Sequence, residues 1–308
     1  MFKLLPLLLL ASPQAAEPAL PPTAHIAIIG ASVSEGFGLS LELESACNLT
    51  PFVDAALKIP HDETLNLGSG MMFSGTLRRG TQQLERALAS KPTLIIAADF
   101  LFWFGYGFGG TLDSRMQSLG HGLALLEQVE CPILIGDLPN MRAALAGTSP
   151  LTGGGPIISA AQVPSAEHLE QLNACIMAWA KDRENVHIFR MSRFVNELLS
   201  PKPFEIRGNK LGPEMKSAVM QADLLHPTVK GTAIFCVLLF DQLVRDGVLQ
   251  ADEVEWNAAI LEAAVWEATA PRREKIKSRR ARRDERKRKL EQQGREKDKK
   301  DQLETQGV

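Results

Sequence analysis

Five short apolar runs punctuate the chain: residues 26–29 (IAII), 63–67 (ETLNL), 93–98 (TLIIAA), 132–136 (PILIG) and 186–189 (VHIF). Most show no regular polar alternation, so they read as strands covered on both faces. Between them the spacing turns helical. Residues 76–90 place Leu77, Leu84, Ala87 and Leu88 on one side with Arg and Glu opposite, and Pro92 follows. Helices are also expected over 112–129, 165–182 (Ser165 as cap), 192–199, 228–244 and 252–268. Residues 39–58 read as loop and helix with Pro51 in a first turn, and 204–211 as a hairpin around Gly208 and Asn209. Strands alternating with helices predict an α/β fold, three-layer and doubly wound, with a mostly parallel five-stranded sheet.

In such a sheet, ligands gather at the C-terminal ends of the strands. The first strand runs into Gly30-Ala-Ser-Val-Ser-Glu-Gly36, whose small residues allow a tight turn and leave Ser32 at that edge. A serine hydroxyl needs a base to become a nucleophile, and the base needs an orienting group. An imidazole suits this because it titrates near neutral pH. Asp223 and His226 stand three residues apart in DLLHPTVKG, ahead of Pro227. No GxGxxG follows a strand and no GxxxxGK[ST] occurs, which sets aside dinucleotide and P-loop readings.

The order of GxSxxxG, then Asn66-Leu-Gly68-Ser-Gly70, then Asp223-x-x-His226-Pro227 resembles the SGNH or GDSL serine hydrolases over roughly residues 25–245. The resemblance implies a flavodoxin-like fold and cofactor-free hydrolysis of carboxylic esters. Ser32 would be the nucleophile, His226 the base and Asp223 the group that orients it. The N–H groups of Ser32 and Gly70 would form the oxyanion hole; Gly68 is the alternative, because this block is one residue shorter than the family's. Ser34, where the family has a serine or threonine, would cap or brace the turn.

Two positions depart from the family. Ala31 stands where an aspartate is usual, and the asparagine after the third strand is missing. In its place the chain has Asp99, within Ala97-Ala-Asp-Phe-Leu-Phe-Trp103. A carboxylate only accepts hydrogen bonds and would repel an oxyanion, so Asp99 is assigned to orienting the site. Residues 100–108 are dense in aromatics; they would pack the strand end, with Trp103 and Tyr106 as a candidate substrate wall. The substrate is left open between a small-molecule and a glycan ester. A catalytically weak binding protein on the same fold is the alternative, and the missing asparagine is what favours it.

Charge divides the chain. Residues 271–308 hold 16 Lys and Arg against 8 Asp and Glu, a net of +8, within a total of only −2. This tail, helical or disordered, has too few large apolar residues for a core and suits an anionic surface such as phospholipid or cell-wall polymer. It has no aromatic for bases to stack on, which argues against nucleic acid. At the other end, residues 1–16 have Lys3, an apolar run over 4–11 and small residues after it. That is the layout of a signal peptide, too short to span a bilayer, and predicts a secreted or periplasmic protein. A linker over 17–24 and a hydrolase domain over 25–270 complete the division. The four cysteines form no CxxC pair, so no metal site is expected; Cys131, Cys175 and Cys236 read as packing thiols. Residues 137–164, with glycines at 153–155, suit a movable cover.

Overall fold

A computed structural model describes residues 20–107 and 110–306. The expected leader at 1–16 and most of the linker lie outside the described residues. Strands β1 (Ile26–Ile28), β2 (Leu65–Asn66), β3 (Leu94–Ala97), β4 (Ile133–Gly136) and β5 (Val186–Phe189) form one parallel sheet in the order β2-β1-β3-β4-β5. β1, β3 and β4 are buried along their whole length, as their unbroken apolar runs require.

Helices α1 (Ser32–Glu35), α2 (Leu39–Leu43), α3 (Thr50–Ala56), α4 (Thr76–Ala89), α5 (Phe102–Tyr106), α6 (Leu112–Leu126), α7 (Ala166–Ala180), α8 (Met191–Leu199), α9 (Lys216–Val219), α10 (Val229–Arg245) and α11 (Ala258–Gln306) connect and cover the sheet. α4, α6 and α7 pack in sequence along one side, and α3, α10 and α11 group together elsewhere. α10 is buried on most of its circumference, which its apolar composition demands, and Thr228 caps it by accepting from Gly231 N–H at 3.0 Å. Strands β6 (Phe204–Ile206) and β7 (Asn209–Leu211) form the expected antiparallel hairpin.

Three expectations change. Residues 39–58 hold two helices, with Glu44 in the left-handed region after α2. The aromatic stretch after β3 folds as α5, a buried helical turn. The boundary at 270/271 is not a break: α11 runs through Pro271, where Arg273 donates to the Trp266 carbonyl (2.9 Å) and to Thr269 Oγ1 (2.7 Å). From 272 to 291 the helix is basic and largely exposed. Among the described residues, no helix is long and apolar enough to cross a membrane. The four cysteines are free, Cys236 fully buried and the other three half-buried.

Candidate active site

The chain leaves β1 for β2 on one side, while β3 lies on the other, so the strand order switches direction between β1 and β3. Doubly wound sheets open a crevice at that point. Ser32 follows β1 and Asp99 follows β3.

Several contacts fix the end of β1. The Gln83 side chain takes both backbone groups of Gly30, accepting from its N–H at 2.7 Å and donating to its carbonyl at 2.9 Å. A side chain at Gly30 would put its Cβ 2.0 Å from Asp99 Oδ1 and 2.4 Å from Ser34 Oγ, so only glycine fits. Asp99, buried, then holds the start of α1. Its Oδ2 accepts from Val33 N–H (2.8 Å) and Ser34 N–H (3.3 Å), and its Oδ1 accepts from the Ser34 hydroxyl (2.6 Å). Ser34 is only 1% exposed, so the second serine braces the turn and cannot meet a substrate.

Asp223 and His226 are brought to the same edge by the loop before α10. Asp223 Oδ1 accepts from the N–H groups of Leu225 and His226, both at 2.9 Å, closing a side-chain turn around Leu224, which takes φ +54°. His226 Nδ1 lies 2.7 Å from Asp223 Oδ2, and its Nε2 lies 2.7 Å from Ser32 Oγ. Because a carboxylate can only accept, Nδ1 carries the ring proton and Nε2 is left to accept from the serine. Burial alone would raise the Asp223 carboxyl; the hydrogen bond and charge of His226, with the two backbone N–H groups, outweigh it and hold the group below the usual carboxylate range. Phe37 covers the imidazole with ring centroids 4.4 Å apart. Gln221 ties this loop to the segment that follows α1, donating to the Phe37 and Pro227 carbonyls at 2.8 and 2.7 Å.

The expected oxyanion pair is not assembled. Ser32 N–H has no hydrogen-bond partner among the described residues, but Gly70 N–H donates to Glu35 Oε2 at 2.8 Å. Gly68 N–H is also taken, by Asn66 Oδ1 at 2.9 Å. The assignment of Gly70 as a free donor is therefore corrected: a carboxylate from the helix that Ser32 opens occupies it. The substrate wall is corrected too. Tyr106 points inward, where its hydroxyl donates to the Pro139 carbonyl (2.5 Å) and accepts from Met141 N–H (3.0 Å). Trp103 packs against Phe102 and Phe73. Neither lines the apolar pocket that opens at Ser32 and His226; Phe102 does.

Residues 153–155 do not reach that pocket either. They close an exposed turn on Ser149, and the loop is held by Thr148 N–H on the Ala222 carbonyl and by Arg115 on the carbonyls of Ala161 and Gln162. Sequence reasoning missed Gln83, Phe37, Gln221 and Glu35. All four act on backbone or ring faces, and none belongs to a recognisable motif.

A doubly wound α/β fold bearing a Ser–His–Asp chain at its switch point is thus what the residues build. No protein-family profile and no curated sequence matches the chain. Solved structures similar to it include a lipase/acylhydrolase from Enterococcus faecalis, 12% identical, with a TM-score of 0.45 over 76% of this chain and 98% of that one. Another is a psychrotrophic esterase from Pseudoalteromonas sp., 16% identical, at 0.41 over 72% and 97%. A GDSL-like lipase from Bacteroides thetaiotaomicron is 13% identical, at 0.40 over 76% and 92%.

Proposed function

We propose that the chain hydrolyses carboxylic esters through an acyl-enzyme on Ser32. The observation that carries this reading is the unbroken path from Ser32 Oγ to His226 Nε2 and from His226 Nδ1 to Asp223 Oδ2, each step 2.7 Å. As Ser32 Oγ attacks the carbonyl carbon, its proton passes to Nε2, and the ionised Asp223 stabilises the imidazolium that forms. The carbonyl oxygen becomes an oxyanion, and Ser32 N–H is the donor free to meet it. His226 then returns the proton to the departing alcohol. A water, deprotonated by the same nitrogen, attacks the acyl carbon and releases the acid, which restores Ser32.

The occupied Gly70 N–H and the carboxylate at position 99 favour a second reading, a weakly catalytic binding protein held at an anionic surface by the basic part of α11. Labelling with a fluorophosphonate separates the two. Wild type is expected to label and Ser32→Ala not to. Equal labelling of Ser32→Ala, or none of wild type, would overturn the acyl-enzyme.

A further inference from the structure

The pocket at Ser32 is more apolar than ester cleavage alone requires. Of the described side chains lining it only Ser32, Asp99 and His226 are polar, and each is already engaged in the contacts above. The remaining lining is aliphatic, aromatic or methionine. Phe194, Val195 and Leu198 of α8 face Ile234 and Phe235 of α10, and Leu211 of β7 closes one wall. Among the described side chains, no lysine or arginine lines it to pair with a phosphate or carboxylate, and no amide or further hydroxyl to satisfy a sugar. The cavity volume is about 70 Å³, and its mouth is open at Ser32 and His226.

We infer that this pocket is an acyl-chain site and that the substrates are esters of aliphatic acids several methylenes long, not acetyl esters of glycans. The inference rests on the ester-hydrolase reading. The acyl group stays on Ser32 through the second half of the reaction, whereas the alcohol leaves and water enters. An apolar pocket suits the part that stays. Glu35, on the same helix as Ser32, is exposed, and the departing alcohol is assigned to its side. An acetyl methyl would leave most of the slot unfilled, and each methylene added inside it gains the free energy of leaving water.

The test is a series of p-nitrophenyl esters from acetate to dodecanoate, paired with a series of acetate esters of lengthening alcohols. kcat/KM is expected to rise about fourfold per methylene of the acid until the slot is full, and to change little with the alcohol. In Val195→Trp the ratio of octanoate to acetate activity within one preparation is expected to fall at least tenfold; Leu198→Trp serves if the first variant does not fold. Binding of the dodecanoate ester to Ser32→Ala, followed by calorimetry, reads the pocket without turnover. A flat acyl series with normal fluorophosphonate labelling, or dependence on the alcohol instead, would overturn the acyl site and leave the hydrolase standing. Tight binding by Ser32→Ala with no labelling of wild type would do the opposite.

Discussion

The two halves of the site are built to different degrees. On the side of α10, a carboxylate, an imidazole and a hydroxyl already stand in a line, braced by backbone N–H groups, by Gln221 and by the Phe37 ring. Toward β2 and β3, where charge on the carbonyl oxygen would be met, two carboxylates have taken the donors: Glu35 holds Gly70, and Asp99 holds Val33 and Ser34. Proton transfer needs one fixed geometry, which local turns can supply. Stabilising an oxyanion needs donors left free, and buried or strained turns tend to spend their donors on themselves. Position 99 shows the trade: its carboxylate fixes α1 through three hydrogen bonds, but stands beside the turn that carries Ser32.

The largest expected effect comes from the completed half. Asp223→Asn should lower kcat by about 10³- to 10⁴-fold, because an amide no longer selects the tautomer with the proton on Nδ1; a loss under tenfold would mean that His226 is oriented by the loop alone. The same variant has a second readout. The native Asp223 carboxyl lies below its ordinary value of about 3.9, so its stabilising contribution is complete above that value and disappears as pH falls through the native one. Thermal melts from pH 6 to pH 3 should therefore fall less steeply for Asp223→Asn than for wild type.

Position 99 tests the other half. Asp99→Asn keeps one oxygen to accept from Val33 and Ser34 and can donate to the Ser34 hydroxyl, while removing a negative charge near the developing oxyanion. kcat should rise about tenfold with the melting temperature little changed. Asp99→Ala instead strands buried donors at about 1–3 kcal/mol each and should lose both stability and rate. If Asn and Ala behave alike, position 99 contributes packing only.

How much of this could be read from the chain follows the same division. β1, β3 and β4 were legible because buried parallel strands need unbroken apolar runs, and the Ser–His–Asp residues because each sits in a short local motif. α5 was not: Phe102, Trp103, Phe104 and Tyr106 have strand-like propensity, and a contact that holds the helical turn in place is long-range, Tyr106 meeting Pro139 and Met141 some 33 to 35 positions away. The acyl slot was equally hidden, since α8, β7 and α10 each look ordinary alone and only their assembly makes a wall. The tail from 271, left open as helical or disordered, continues α11, because the arginines, lysines and alanines around Pro271 favour helix strongly enough to carry it past the proline.

The smallest expected effect decides what the second carboxylate is for. Glu35 is exposed, so its grip on Gly70 competes with water and is cheap to release. Glu35→Ala frees that N–H without touching the Ser32–His226 contact. If Gly70 is a latent oxyanion donor, kcat should rise about threefold with KM unchanged, and the gain should be smaller in Asp99→Asn, where one repulsive charge is already gone. If instead the glutamate is needed to seat the turn at Gly70–Ser74, kcat should fall and the fall should be rescued by Glu35→Gln, whose amide oxygen can still accept from Gly70. Steady-state kinetics on the two single variants and the Glu35→Ala, Asp99→Asn double variant distinguish these outcomes, because only a shared oxyanion role makes the two substitutions less than additive.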